Sequence, residues 1–249
     1  MIPKDRILGS LIVFFYFLSF ILVSNVLFLK LILSIPIFLG IFIELFQNYK
    51  PFFLFYGNFM LYFFFSYEKK VPFLFYIFLT FNFTYLIVKS KIDKDLFLKI
   101  LLFSLYISFL TFFVNLNQKE IIYLLSIVWS TDSFAYLIGK YFGKHKLTPI
   151  SPKKTWEGAI GGVIFGALIS SLIFFILFSN GINNISLENT FLIGIIFSIL
   201  SQIGDLFASY IKRIFNIKDF SNIIPGHGGI LDRLDSLLFV SPWIYLFFH

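Results

Sequence analysis

ILGSLIVFFYFLSFILVSNVLFLKLILSIPIFLGIFIELF, Ile7 to Phe46, decides the fold. A bilayer core about 30 Å thick is crossed by roughly 20 mostly apolar residues in a helix. Forty such residues cannot cross once, so this stretch crosses twice, with a break near Ser24-Asn25. Apolar runs of similar size recur from end to end. With 59% hydrophobic and 13% charged residues and a mean hydropathy of +0.90, the chain lies far outside the range of soluble domains. The sequence predicts an all-α, polytopic transmembrane helical bundle of about nine spans, with eight as the alternative count. The spans cover roughly 7–24, 26–46, 51–66, 72–88, 96–115, 121–141, 157–179, 190–211 and 236–249. Met1 to Arg6 resembles the start of a signal peptide, but the run after it is long and lacks an Ala-x-Ala cleavage site, so it reads as a retained first span.

Charge orients these spans. With nine of them, one side of the membrane carries 16 of the 20 Lys and Arg residues, and the other keeps Lys30, Lys69, Lys70 and Lys119. By the positive-inside rule the rich side, with the N-terminus and the loops 142–156 and 212–235, is cytoplasmic. A net charge of +7 is compatible with nucleic acid, but no soluble face is expected to bind it. With no cysteine, disulfides and thiolate metal sites are excluded. The 39 Phe and the preference for Lys over Arg fit a bias toward A+T-rich codons. Against that background only Arg6, Arg213 and Arg233 remain as arginines.

The texture changes along the chain. Residues 1–115 hold three of 15 glycines and none of the three tryptophans, and read as scaffold helices. Residues 116–249 carry the rest and bring charged and hydroxyl residues into the spans, so the chemistry is expected there.

In WSTDSFAYLIGKYFGK (129–144), Asp132 lies inside an apolar helix, where a charge costs about 2.5–3.5 kcal/mol or more and must face a bundle interior or a water-filled cavity. Next, Ser151-Pro152-Lys153-Lys154-Thr155 leads into a helix start, a place where free backbone N–H groups and the helix dipole favour phosphate. A solvated cytoplasmic loop accounts equally well for its composition. Gly158, Gly162 and Gly166 repeat at i, i+4, i+8, a ridge suited to close helix packing. In SQIGDLFASYIKRIFNIKD (201–219), Asp205, Ser209, Lys212 and Arg213 share one helical stripe, with the acid deeper than the cations.

PGHGGILDRLDS (225–236) follows. Its glycines let backbone N–H groups approach a ligand, Asp232 and Asp235 face one way at a helix start, and Arg233 offers a planar fork for phosphate. A turn and a capped helix would explain the glycines or the aspartates, but not His227, Arg233 and a second Asp together. Carboxylates without Cys and with little His select hard ions such as Mg²⁺, which binds one or two carboxylates plus substrate phosphates. The residues therefore point to a cytoplasm-facing Mg²⁺–phosphate site within the membrane.

SYIKRIFNIKDFSNIIPGHGGILDRLD (Ser209–Asp235) closely resembles the signature of the phosphatidate cytidylyltransferases, the CDP-diacylglycerol synthases. SPKKTWEG (Ser151–Gly158) and DSFAY (Asp132–Tyr136) resemble that family's upstream elements, although Phe134 stands where a smaller residue is expected. The first 115 residues resemble the family only in being polytopic. The resemblance implies transfer of cytidylyl from CTP to phosphatidate, in a membrane homodimer of the inner (cytoplasmic) membrane, with Mg²⁺ and room for a second cation. On the same ground Asp205 and Asp232 are expected to hold metal, with Asp235 a third ligand or a neighbour. Lys212, Arg213 and Arg233 would neutralise phosphates. Gly226, His227, Gly228 and Gly229 would cradle them, and Ser151, Lys153, Lys154, Thr155, Ser209, Lys218 and Asp132 would complete the substrate site. Alternatives are a CTP-dependent lipid-alcohol kinase and, from another class, an ion-coupled transporter. The Asp-Gly-x-x-Ala-Arg motif of enzymes that consume CDP-diacylglycerol is absent.

Overall fold

A computed structural model of the chain describes residues 102, 105–106, 109–178, 186–221 and 229–249. The first four expected spans and the loops between them lie outside these residues, as do Pro225 to Gly228 with His227. Five helices are described: α1 (Leu110–Asn115), α2 (Gln118–Phe142), α3 (Trp156–Phe178), α4 (Leu187–Ile214) and α5 (Leu231–Phe248). Of these, α2, α3 and α4 are long and apolar enough to cross a bilayer, which makes this a membrane protein with several apolar helices. Contacts divide the chain into two units. One holds Met1–Asn115 and Ile214–Leu234, the other Leu116–Arg213 and Asp235–His249.

Helices α2, α3 and α4 each begin where a side chain takes up an unpaired N–H group. Asn117 starts α2 with a reciprocal capping box: Glu120 N donates to Asn117 Oδ1 at 3.1 Å, and Asn117 N donates to Glu120 Oε2 at 2.9 Å. Thr155 Oγ1 accepts from Gly158 N at 3.2 Å to cap α3. Ser186 does the same for α4 through Asn189 N at 3.3 Å. Just beyond Ile214, Asn216 turns left-handed (φ 55°), a conformation common beyond helix C-termini.

In the second unit, α2 to α5 run alternately up and down, and α5 closes back on α2. Across α2 and α3, Tyr123 meets Phe174, Phe134 meets Phe165 and Gly139 faces Gly158, so one number rises as the other falls. Across α3 and α4, Gly194 packs on Ala167 and Ser170, Ser198 on Gly166, and Gln202 Nε2 donates to Ala159 O at 2.8 Å. Gly204 lies against Phe239, and Phe197 against Phe247, to pair α4 with α5. Tyr123 and Phe248 (6.1 Å between ring centres) join α5 to α2. The far end of this bundle is an aromatic core in which Tyr123 touches Phe174, Phe178, Phe197 and Phe248 edge-on.

Small residues let the backbones approach. A β-carbon added at Gly158 would lie 2.6 Å from Ala135 O, and one at Gly162 would lie 2.8 Å from Thr131 O. At Gly166 it would meet Thr131 Oγ1 at 2.3 Å. The i, i+4, i+8 ridge is thus the seam on which α3 packs against α2. Phe134, the unexpectedly large residue, stacks its ring on Phe165 (4.7 Å, 14°) and leaves the seam clear.

Inside an apolar bundle, backbone and hydroxyl groups must find partners within the protein. Ser130, Ser170, Ser171 and Thr190 hydroxyls donate to carbonyls of their own helices. Pro242 in α5 has no N–H to give Leu238 O, and Ser241 Oγ donates to that carbonyl instead at 2.8 Å.

The described helices follow the expected spans closely except at the start of α5. It begins at Leu231 rather than 236, and α4 runs on to Ile214 rather than 211. Asp232, Arg233 and Asp235 therefore lie in α5 itself, which agrees with reading the two aspartates at a helix start and moves the span boundary from 236. Polar residues at a helix start resemble a loop in composition, and here Asp232 in the first turn binds the N–H groups of Phe220 and Gly229, both outside the helix.

Candidate active site

Residues 143–155 connect α2 to α3 as a small hairpin. Lys146 and Thr155 bridge in antiparallel fashion, Leu147 N donates to Lys154 O at 2.9 Å, and Trp156 N donates to His145 O at 2.9 Å. At the tip, Lys154 N donates to Ser151 O at 3.1 Å. Lys153 is exposed and Ser151 half-buried. Besides capping α3, Thr155 fills a crease left by glycines. Its Oγ1 lies 3.0 Å from where a β-carbon of Gly139 would be and 2.7 Å from one at Gly143.

The hairpin delivers Lys154 to α4, where its Nζ forms an ion pair with Asp205 Oδ2. Both side chains remain a little over one quarter exposed, 27% and 28%, so the pair is reachable from outside the protein. Asp205 is adjacent to Gly204, where α4 and α5 pack most tightly. A β-carbon at Gly204 would strike Phe239 Cβ at 2.6 Å, and Phe239 is one turn along α5 from Asp235. This close approach brings Asp205 and Asp235 together. Asp132 on α2 joins them: Asp235 feels the charges of Asp205, Lys212 and Asp132, and Asp132 those of Asp205 and Lys154. Three carboxylates from three helices and two lysines thus share one end of the bundle. Among the described residues, no three acidic or histidine side chains are gathered closely enough to hold an ion by themselves.

Ser209 and Lys212 continue the Asp205 stripe toward the end of α4, both half-buried, and Arg213 beside them is exposed. In the other unit, Asp232 Oδ2 accepts from Phe220 N (2.8 Å) and Gly229 N (3.0 Å), tying the two ends of the intervening segment to α5. Phe220 in turn stacks on Tyr106 (6.3 Å, 18°). Lys218 and Arg233 belong to the same unit and are exposed, and Gly229 is buried. The sequence reading missed Glu157 and His145. An acid in the first turn of a helix is already accounted for by the helix dipole, and the partners of Glu157 lie 12 and 13 residues back in the sequence.

Residues 4–249 match the cytidylyltransferase family. The chain belongs to this family. Among curated proteins, the chain is 47% identical over 134 residues to the phosphatidate cytidylyltransferase of Rickettsia bellii, 52% of this chain and 58% of that protein. It is 44% identical over 150 residues to the protein of that name from Rickettsia felis, covering 56% and 63% of the two chains. Against the Bacillus subtilis protein of the same name it is 47% identical over 135 residues, 53% of this chain and 49% of the other. The matched part of the chain therefore spans about half to three fifths of the length of these relatives.

Proposed function

We propose that the chain transfers a cytidylyl group from CTP to phosphatidate, giving CDP-diacylglycerol and pyrophosphate. The observation that carries this reading is the convergence of Asp132, Asp205 and Asp235 with Lys154 and Lys212 at one end of the bundle. Family membership and the shared name of the relatives supply the substrates.

In this reaction an oxygen of the phosphatidate phosphate attacks the α-phosphorus of CTP, and the bond from that phosphorus to the bridging oxygen of the β-phosphate breaks. Pyrophosphate leaves with the electron pair. The attacking phosphate is already an anion near neutral pH, its second pKa being about 6, so no strong general base is needed. What the protein must supply is positioning and neutralisation of a crowded set of negative charges. Lys154 and Lys212 are suited to that from within the bundle, and Arg213, Lys153 and Arg233 from exposed positions. Ser151, Ser209 and Lys218 offer further contacts, and the segment Gly226 to Gly229 offers backbone N–H groups. A membrane location lets the lipid tails stay in the bilayer while the phosphate reaches the cluster.

The donor set fits Mg²⁺. Three carboxylates against two ammonium groups leave surplus negative charge, and Mg²⁺ commonly takes only one or two carboxylates and completes its shell with phosphates and water. Asp205 and Asp232 are our assignment for the ligands, with Asp235 a third ligand or a neighbour, and a second cation belongs to the same reading. When bound, the ion would neutralise phosphate oxygens and orient the triphosphate. The 16-to-4 split of basic residues supports a site facing the cytoplasm from the inner membrane. The homodimer rests on the family resemblance.

The test is label transfer from α-labelled CTP to phosphatidate by the detergent-purified protein. The expected products are CDP-diacylglycerol and pyrophosphate, formed with Mg²⁺ and not after chelation, and Asp205→Asn should abolish turnover. Release of CDP in place of pyrophosphate would make the chain a lipid kinase. Near-normal turnover by Asp205→Asn would overturn the metal assignment.

A further inference from the structure

Glu157 holds the base of the lysine hairpin shut. Its Oε2 accepts from Lys144 N at 3.1 Å, and His145 N is 3.3 Å from both of its oxygens. On the same carboxylate, Oε1 lies 2.6 Å from His145 Nδ1. One side chain at the first turn of α3 thus gathers Lys144 and His145, the two residues that follow the C-cap Gly143 of α2. The strand it catches is the one whose partner carries Lys154. His145 O accepts from Trp156 N, and Leu147 N donates to Lys154 O, both at 2.9 Å. The clasp therefore stands one residue pair from the bonds that aim Lys154 at Asp205.

Exposed ion pairs by themselves contribute little to stability, and this one is open: the His145 side chain is 77% exposed and that of Glu157 28%. Its worth is geometric. A lysine side chain has four rotatable bonds, and a charge set down in one place does more for a developing phosphate charge than one that wanders. Two backbone N–H donors on a single carboxylate fix the chain itself, which a side-chain pair alone would not do.

We propose that Glu157 is a positioning residue. Through His145 and the Lys144 and His145 backbone it sets the hairpin, and through the hairpin it sets Lys154 on the nucleotide site. This role rests on the cytidylyltransferase reading, because only there does the placement of Lys154 have a chemical purpose.

The chain lacks cysteine, so a nitroxide attached at Lys146→Cys reports the hairpin alone. Its spectrum in the detergent-purified protein should show a restrained label with Glu157 present. It should become mobile in Glu157→Ala and stay close to the restrained form in Glu157→Gln, which keeps an oxygen for the two N–H groups. In CTP turnover, Glu157→Ala should lower kcat/KM by tenfold or more, chiefly through KM for CTP, with Glu157→Gln recovering most of it. Adding Glu157→Ala to Lys154→Gln should change kcat/KM by less than twofold, because both act through one ammonium group. An equally restrained label in Glu157→Ala, or losses that multiply in the double variant, would overturn the proposal. If the parent chain did not turn over CTP, the proposed function would fall, while the label would still decide whether the clasp exists.

Discussion

Gly158→Ala adds one methyl group at the closest backbone contact of the seam between α2 and α3. The new carbon would stand 2.6 Å from Ala135 O and 3.0 Å from Gly139 Cα, both backbone atoms. Ordinary contact begins near 3.4 Å, so the helices would have to part by roughly 0.8 Å, since backbone cannot turn aside. Overpacking of this kind costs about 1–3 kcal/mol, against roughly 0.5–1 kcal/mol gained by replacing glycine with alanine in a helix. The expected net loss is about 1–2 kcal/mol, seen as a melting temperature lower by roughly 3–6 °C in detergent. Gly161→Ala is the matched control. Its nearest neighbour is Ile138 Cδ1 at 2.2 Å, the far end of a side chain that can change rotamer. That variant should melt within about 2 °C of the parent. Turnover should separate them too, because Thr155, which ends the lysine hairpin, packs against Gly139, Gly143 and Gly158 together. Equal melting of the two alanine variants would show that the seam does not rest on backbone contact.

Asp232 combines a structural bond set with a proposed chemical role, and two substitutions pull these apart. Asp232→Asn keeps an oxygen for Phe220 N and Gly229 N and should leave melting nearly unchanged, while Asp232→Ala should lower stability by about 1–2 kcal/mol; both should lose cytidylyl transfer, as measured by product formation. Asn117→Ala removes the capping box of α2 and should cost about 1 kcal/mol in a thermal melt, with KM for CTP unmoved, because Asn117 lies at the opposite end of α2 from the lysine hairpin.

The fold of the described part was legible because hydropathy over twenty residues is a strong signal, and the glycine spacing announced a packing face. The start of α2 is written in the sequence as the capping box Asn117-x-x-Glu120, although hydropathy alone placed the span from 121. The start of α5 was obscured because Asp232, Arg233 and Asp235 raise local polarity to that of a loop while their backbone stays helical. The partners in the site differ in kind. Asp205, Ser209 and Lys212 share a helix, so spacing alone aligned them. Asp132, Lys154, Asp205 and Asp235 meet only because glycines let four helices close on each other, and no spacing along the chain encodes that. The Glu157 clasp lies between these cases, since its partners are 12 and 13 residues back and meet it only after the hairpin turns.

The glycine seam also limits how the protein can move. Where two helices touch backbone to backbone, neither can slide along or roll over the other without its carbonyls striking the next turn. α2 and α3 therefore behave as one strut, carrying Asp132 and the root of the lysine hairpin at a fixed separation while lipid flows around them. On the proposed function, the element that a bulky triphosphate would meet at this end of the strut is the hairpin, whose base a single carboxylate clasps.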